Sequence, residues 1–113
     1  MHELSLMESM LEIALESARD RGAQKIHQID LRVGALSGVV PEALEFAFDA
    51  CTQNTIAAGA NLKIELISAL CHCENCDREF SPPDIIYDCP NCGKISSKLL
   101  QGRELQLTSI EVS

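Results

Sequence analysis

Apolar side chains recur at helical spacing from the start of the chain: Leu4, Met7, Leu11, Ala14, Leu15 and Ala18. Ser5, Glu8, Ser9, Glu12, Glu16 and Arg19 fall on the opposite face. The pattern predicts an amphipathic helix of about five turns. Arg19 and Arg21 complement the dipole of its last turn, and Gly22 supplies a C-cap. In "KIHQIDLRVG" the period changes to two. Ile29, Leu31 and Val33 share one face and Asp30 and Arg32 the other, so a strand is expected from Ile29, with the phase shifting near His27.

"ALSGVV" reads as a turn, and Pro41 suits the first position of a second helix. Leu44, Ala47, Phe48 and Cys51 form its inward face, with Glu42, Glu45 and Asp49 outside. Gly59 and Asn61 then turn into a strand, "LKIELI", with Leu62, Ile64 and Leu66 on one side. From residue 71 the texture changes. "CHCENCDREFSPPDIIYDCPNCGKISS" is dense in Cys, Pro, Asp and Asn and has no lasting period. "SKLLQG" offers a short strand before the Gly102 turn, and "ELQLTSIEV" alternates as a final strand that returns to the first sheet.

Within the Cys-rich stretch, Cys73-x2-Cys76 and Cys89-x2-Cys92 are twelve residues apart. Each pair offers two thiolates on one tight turn, and two such turns close a tetrahedron around Zn²⁺. Pro90 restricts the second turn and Gly93 accommodates a positive φ just past it. The segment is too short and too polar to fold on a core of its own. Four thiolates leave no open coordination position, so the expected zinc is structural. Cys71, two residues before Cys73, can replace it or exchange with it; the plainer reading is a thiol at a strand end. His72 reads as solvated, Cys51 as core and His27 as a surface or satisfied histidine. The fold class is therefore α+β: two helices on a three-stranded sheet, with an inserted small zinc-ribbon-like four-cysteine domain.

Composition narrows the possibilities. With 4% aromatics and no Trp, the core of this 113-residue chain must be aliphatic. A net charge of −8 repels phosphate backbones and anionic membranes and suits cations or basic partners. Glu3, Glu8, Glu12 and Glu16 interrupt any signal-peptide core or membrane-spanning helix at the start of the chain. The expected compartment is the cytoplasm, where six cysteines point to metal ligation rather than to disulfides.

A second candidate metal site lies at "MHE". The Met1 amine, the His2 peptide nitrogen and the His2 imidazole Nδ1 can close a five- and a six-membered chelate ring on one ion. Glu3 is available beside them. Such planar nitrogen donors suit Ni²⁺ or Cu²⁺ better than Zn²⁺, and the bulk of histidine protects Met1 from removal. The competing readings are a frayed surface histidine and a first-turn acid that complements the helix dipole.

"MHELS" at the start, "LRVGALSGVVPEALEFAFDA" in the middle, the two C-x2-C pairs and a closing "SIEV" together resemble the HypA/HybF family. These metallochaperones help insert nickel into [NiFe] hydrogenases. The resemblance spans essentially the whole chain in this order. It implies a nickel-binding α+β domain, residues 1–69 plus 103–113, and a zinc-binding domain, residues 70–102. It further implies His2 as an essential nickel ligand supported by Glu3, and Cys73, Cys76, Cys89 and Cys92 as zinc ligands.

The implied partners are the GTPase HypB, the [NiFe] hydrogenase large-subunit precursor and, in some organisms, urease maturation proteins. Nucleic acid and membranes are not expected partners, and a monomer or weak homodimer is the expected state. Some members carry an acidic residue beside the nickel site where this chain has Val40, with Glu42 close by, so that role is not carried over. The alternative class is a zinc-ribbon adaptor binding nucleic acid or the transcription machinery. The −8 charge and the lack of an Arg- or Lys-rich ribbon argue against it. A zinc hydrolase ranks third, for want of an HExxH-type helix or an open three-ligand set.

Overall fold

The computed structural model describes residues 2–82, 87–95 and 98–113. Helix α1 (His2–Asp20) begins at the second residue and buries Met7, Leu11, Ala14 and Ala18. Its end matches the chemistry read at Gly22. That residue takes φ +69°; its N–H donates to the Arg19 carbonyl, and the Ala23 N–H donates to the Ala18 carbonyl, both at 2.9 Å. The two bonds form a Schellman cap, which satisfies carbonyls that the helix leaves open.

Strand β1 (Ile26–Gly34) buries Ile26, Ile29, Leu31, Val33 and Gly34. It begins three residues earlier than the alternation predicts. Ile26 and Ile29 both face inward although they lie three apart, and this is the phase shift visible near His27 in the sequence. Helix α2 (Pro41–Cys51) starts with Pro in its first turn and buries Leu44, Ala47 and Phe48. Thr52 closes it: its N–H and its hydroxyl both donate to the Phe48 carbonyl, at 3.0 and 2.8 Å.

Strand β2 (Asn61–Ile67) follows. Its expected single apolar face breaks at the end. Leu62 and Ile64 are half-buried, Leu66 is 66% exposed and Ile67 is buried. The Ile67 carbonyl accepts from the Ala35 N–H, and the inward position passes from Leu66 to Ile67 at that point. Strand β6 (Leu105–Val112) completes a three-stranded sheet in the order β2-β1-β6. Bonds between Lys25 and Ser113 at one end, and from Gly34 to Glu104 at the other, run β6 antiparallel to β1.

Between β2 and β6 the chain builds a second sheet from β3 (Leu70–Cys73), β4 (Arg78–Phe80) and β5 (Lys98–Gln101), in the order β4-β3-β5. The sequence reading anticipated only the last of these as a strand in the insert. Strands of three and four residues are too short to display a period. Both pairings are antiparallel, with Cys71 opposite Phe80 on one side and Leu99 on the other.

The chain forms two compact units. One comprises Met1–Arg32, Val39–Glu65 and Gln106–Ser113; the other comprises Val33–Gly38 and Leu66–Leu105. The first has an aliphatic core drawn from both helices and β1, with Phe48 its one buried aromatic among the described residues. Each fully buried Leu or Ile there contributes about 1.5–3 kcal/mol.

The second unit contains a tight backbone crossing. A Cβ on Gly34 would fall inside contact distance of the Gly102 backbone and 2.6 Å from the Arg103 amide nitrogen. Gly102 itself sits at φ +130° against Ala69. Main chain cannot swing aside as a side chain can, so Gly34→Ala is expected to cost about 3 kcal/mol or more. The measurement is a thermal melt, with the midpoint lowered by roughly 10 °C or more; an unchanged midpoint would contradict the crossing.

Candidate metal centres

Cys73 ends β3, and the turn that follows brings back Cys76. Asp77, at φ +52°, ends that turn before β4. The second knuckle is a hairpin of its own. The Gly93 N–H donates to the Cys89 carbonyl and the Cys89 N–H to the Lys94 carbonyl, both at 2.8 Å. Gly93 takes φ +76°, and Asp88 bridges to Ile95. The two turns are also tied by Lys94 Nζ, which donates to Asn75 Oδ1 at 3.3 Å.

The result is a cluster in which the four sulfurs of Cys73, Cys76, Cys89 and Cys92 all lie within 4.8 Å of one another. Cys73 and Cys92 are 3.6 Å apart, and Cys76 and Cys89 are 4.0 Å apart. A tetrahedron with Zn–S bonds of about 2.3 Å has S···S edges of about 3.8 Å. The two measured separations bracket that value, so the cluster fits a structural zinc site. Cys71 is not part of it. Two strand residues from Cys73, roughly 6.6 Å along β3, it is fully buried between Phe80 and Leu99.

The electrostatics suit a cation. The Lys94 amide, foremost, and the neighbouring thiols of Cys76, Cys73 and Cys89 hold the exposed Cys92 thiol down at about 6. The Cys76 amide pulls the Cys73 thiol down. Burial and the thiols of Cys89 and Cys92 outweigh it and push Cys73 up to about 11. Four sulfurs this close cannot all carry charge without a metal, so the most exposed takes it first. Asn91 Nδ2 donates to Cys76 Sγ at 3.3 Å, a contact the sequence reading missed; its only trace there is a polar residue inside "CPNC". His72, half-buried, faces Asp77, with Nε2 3.3 Å from Oδ1.

The other candidate residues lie on α1. His2 is its first residue, with a side chain 60% exposed, and its Nδ1 stands 3.5 Å from Oε2 of Glu3, whose side chain is 15% exposed. The imidazole nitrogen and the carboxylate thus converge on one point at the helix start. Met1, whose amine completes the expected chelate, lies outside the described residues. His27 is exposed and meets Ser113, Nε2 to Oγ, at 2.7 Å. Val40 is exposed just before α2.

Cys51 is half-buried rather than core, in a cleft of about 340 Å³ walled by Glu8, Glu12 and Glu16. Burial pushes its thiol up, and the Glu8 carboxylate adds to the effect. In the zinc-loaded protein, Cys51 is expected to react with iodoacetamide at pH 8 more slowly than cysteine in a short peptide, and faster once Glu8→Gln removes the charge. Equal rates in both proteins would refute the Glu8 contribution.

The model of the family described as hydrogenase/urease nickel incorporation, metallochaperone, hypA matches residues 1–112. The hydrogenase maturation factor HypA of Picosynechococcus sp. is 46% identical over 112 residues, covering 99% of both chains. That of Geotalea uraniireducens is 41% identical with the same coverage. Among solved structures, a solution structure of a HypA protein superposes with a TM-score of 0.71 at 27% identity, covering 100% of this chain and 97% of that one. The solution structure of the Ni metallochaperone HypA from Helicobacter pylori shares the fold at a TM-score of 0.66 and 24% identity, covering 97% and 96%. Nothing in these comparisons favours a nucleic-acid adaptor. The chain belongs to the HypA family of nickel metallochaperones for hydrogenase and urease maturation.

Proposed function

We propose that this chain takes up Ni²⁺ at the start of α1 and hands it on during [NiFe] hydrogenase maturation, while Zn²⁺ on Cys73, Cys76, Cys89 and Cys92 holds the Cys-rich unit folded. The nickel donors are His2 Nδ1, the His2 peptide nitrogen and the Met1 amine, with Glu3 beside them. The observation that carries the reading is the convergence of His2 Nδ1 and the Glu3 carboxylate, 3.5 Å apart, on the first turn of a rigid helix.

The helix position helps chemically. The first four N–H groups of a helix have no intrahelical acceptor, so a metal that displaces the His2 amide proton breaks no helix hydrogen bond. The dipole disfavours a cation there by about 0.3–1 kcal/mol; the Glu3 carboxylate and the ionised amide offset this. An exposed site on few ligands exchanges its ion readily, as a carrier requires.

In this reading residues 1–69 plus 103–113 are the nickel domain and 70–102 the zinc domain. The chain performs no catalysis and works in the cytoplasm. It meets the GTPase HypB and the hydrogenase large-subunit precursor, or urease maturation proteins, as a monomer or weak homodimer. None of the described helices is long and apolar enough to cross a membrane. The test is a calorimetric titration of the zinc-loaded chain with Ni²⁺, with nothing preceding Met1. One tight nickel per chain is expected, and no saturable uptake would overturn the proposal.

A further inference from the structure

The β2-β1-β6 sheet has two edges, and they differ. The β2 edge carries Lys63 and Glu65, both exposed. Charges of this kind, lysine above all, discourage pairing with another chain. The β6 edge spans eight residues, with no Pro or Lys and only Glu111 charged. Its two hydroxyl side chains are turned back toward β1: Thr108 Oγ1 donates to the Asp30 carbonyl at 3.1 Å, and Ser109 Oγ to Asp30 Oδ2 at 2.7 Å. They leave the outer edge uncapped. Among the described residues no strand pairs with that edge, so its backbone donors and acceptors on that side remain available.

Alongside this edge runs an open groove of about 400 Å³ between β6 and α1. Its strand wall includes Leu107, Ile110 and Val112 beside the two hydroxyl residues; Ile13 and Ser17 line it from α1, and Arg21 from the turn after that helix. Ile13 is 58% exposed there although it sits on a helix with a well-formed buried face. Arg21 is exposed and makes none of the described ion pairs. Because Gln24 bonds to Ser113, Arg21 belongs to the Val112 end of the groove and Ile13 to the Leu107 end. The groove thus has an apolar end and a cationic end.

We propose that this groove is a β-augmentation site, which takes an extended segment of a partner protein as a fourth strand beside β6. The chemistry of the occupant follows from the spacing. Ile13 lies in α1 and Arg21 is the first residue past its end, eight residues on, about 12 Å along the helix axis. A strand covers that distance in about 3.6 residues, and two side chains on one face must be an even number apart. The segment therefore carries an apolar side chain and, four residues along, an Asp or Glu that meets Arg21. Main-chain bonds to β6 supply affinity, and the two side chains supply selection.

A second copy of the chain fits poorly. Antiparallel pairing of β6 with β6 would carry the second copy's Glu111 to the Ile13 end, away from Arg21. Both copies also carry −8.

The test is selection of a random ten-residue peptide library on the zinc-loaded full-length protein, followed by ¹H–¹⁵N NMR with the selected peptides. The expected peptides share an apolar residue and an acid four apart and shift the amide signals of 105–112. Ile13→Lys and Arg21→Glu, both at exposed positions, should weaken binding about tenfold without moving the thermal midpoint. Reversing the acid to Lys in the peptide should restore affinity for Arg21→Glu.

No enrichment, enrichment without that spacing, or shifts confined to other residues would overturn the proposal. Sedimentation showing a concentration-dependent dimer that Ile13→Lys abolishes would also overturn it, by giving the edge to a second copy.

Discussion

Cys89→Ala is expected to leave the second unit without zinc and unfolded. Apart from cysteine, the buried apolar side chains described in that unit are Val33, Ile67, Ala69 and Pro82, while Leu66, Ile95 and Leu100 face solvent. Such a core cannot offset the conformational entropy of ordering the segment. A four-thiolate zinc contributes on the order of 10 kcal/mol or more, as much as the whole stability of an ordinary domain. Removing one ligand opens the tetrahedron and forfeits most of that.

The expected observations are zinc well below one per chain and collapse of the amide signals of the insert, while those of α1 stay dispersed. A folded variant with stoichiometric zinc would sink the structural-zinc reading. Cys71→Ala is the control. Its sulfur lies outside the four-thiol cluster, so zinc should be retained even if stability falls.

His2→Ala is expected to abolish tight nickel binding and leave zinc content unchanged. The substitution removes the Nδ1 donor and with it the six-membered chelate ring. Loss of a direct ligand should weaken binding by about a hundredfold or more, the upper end of what losing a mere supporting contact costs. Adding two residues before Met1 converts the amine to an amide and should do the same. Glu3→Gln, which keeps the shape and removes the charge 3.5 Å from Nδ1, should have a smaller effect.

Nitrogen donors bind only when deprotonated, so the affinity of the native chain should also fall as pH falls. Calorimetry across neutral pH reads all four effects. Native-like nickel affinity in both His2→Ala and the extended chain would show that the site lies elsewhere.

The elements that were legible in the sequence are those whose signal is local. Met7, Leu11, Ala14 and Ala18 mark one helical face because residues three and four apart are neighbours. Gly22 and Pro41 mark helix ends through their own φ preferences, and both stand where expected. The C-x2-C pairs announce a metal site because two residues between the thiols are what a tight turn needs.

Elsewhere the local signal failed. The inward position passes from Leu66 to Ile67, and Thr108 and Ser109 are both exposed in a strand whose sequence alternates. In both places a bond to β1 or its following loop, from Ala35 or to Asp30, accompanies the change of phase.

The sequence by itself determined the two helices, the three strands of the first sheet, the thiolate chemistry and the His2–Glu3 pair at a helix start. Only the tertiary structure removed the alternative that Cys71 exchanges with Cys73 in the four-thiol cluster. Spacing favours Cys73, which alone stands two residues from Cys76, but it left Cys71 able to exchange with it; both are buried, and they part because Cys71 is paired with Phe80 and Leu99 while Cys73 ends its strand at the turn. The tertiary structure also decided that β6 is an edge and that Ile13 and Arg21 share its groove. Helical faces and turns are set by interactions over a few residues. Strand neighbours are set by packing across long stretches of chain, as between Lys25 and Ser113, which no local period records.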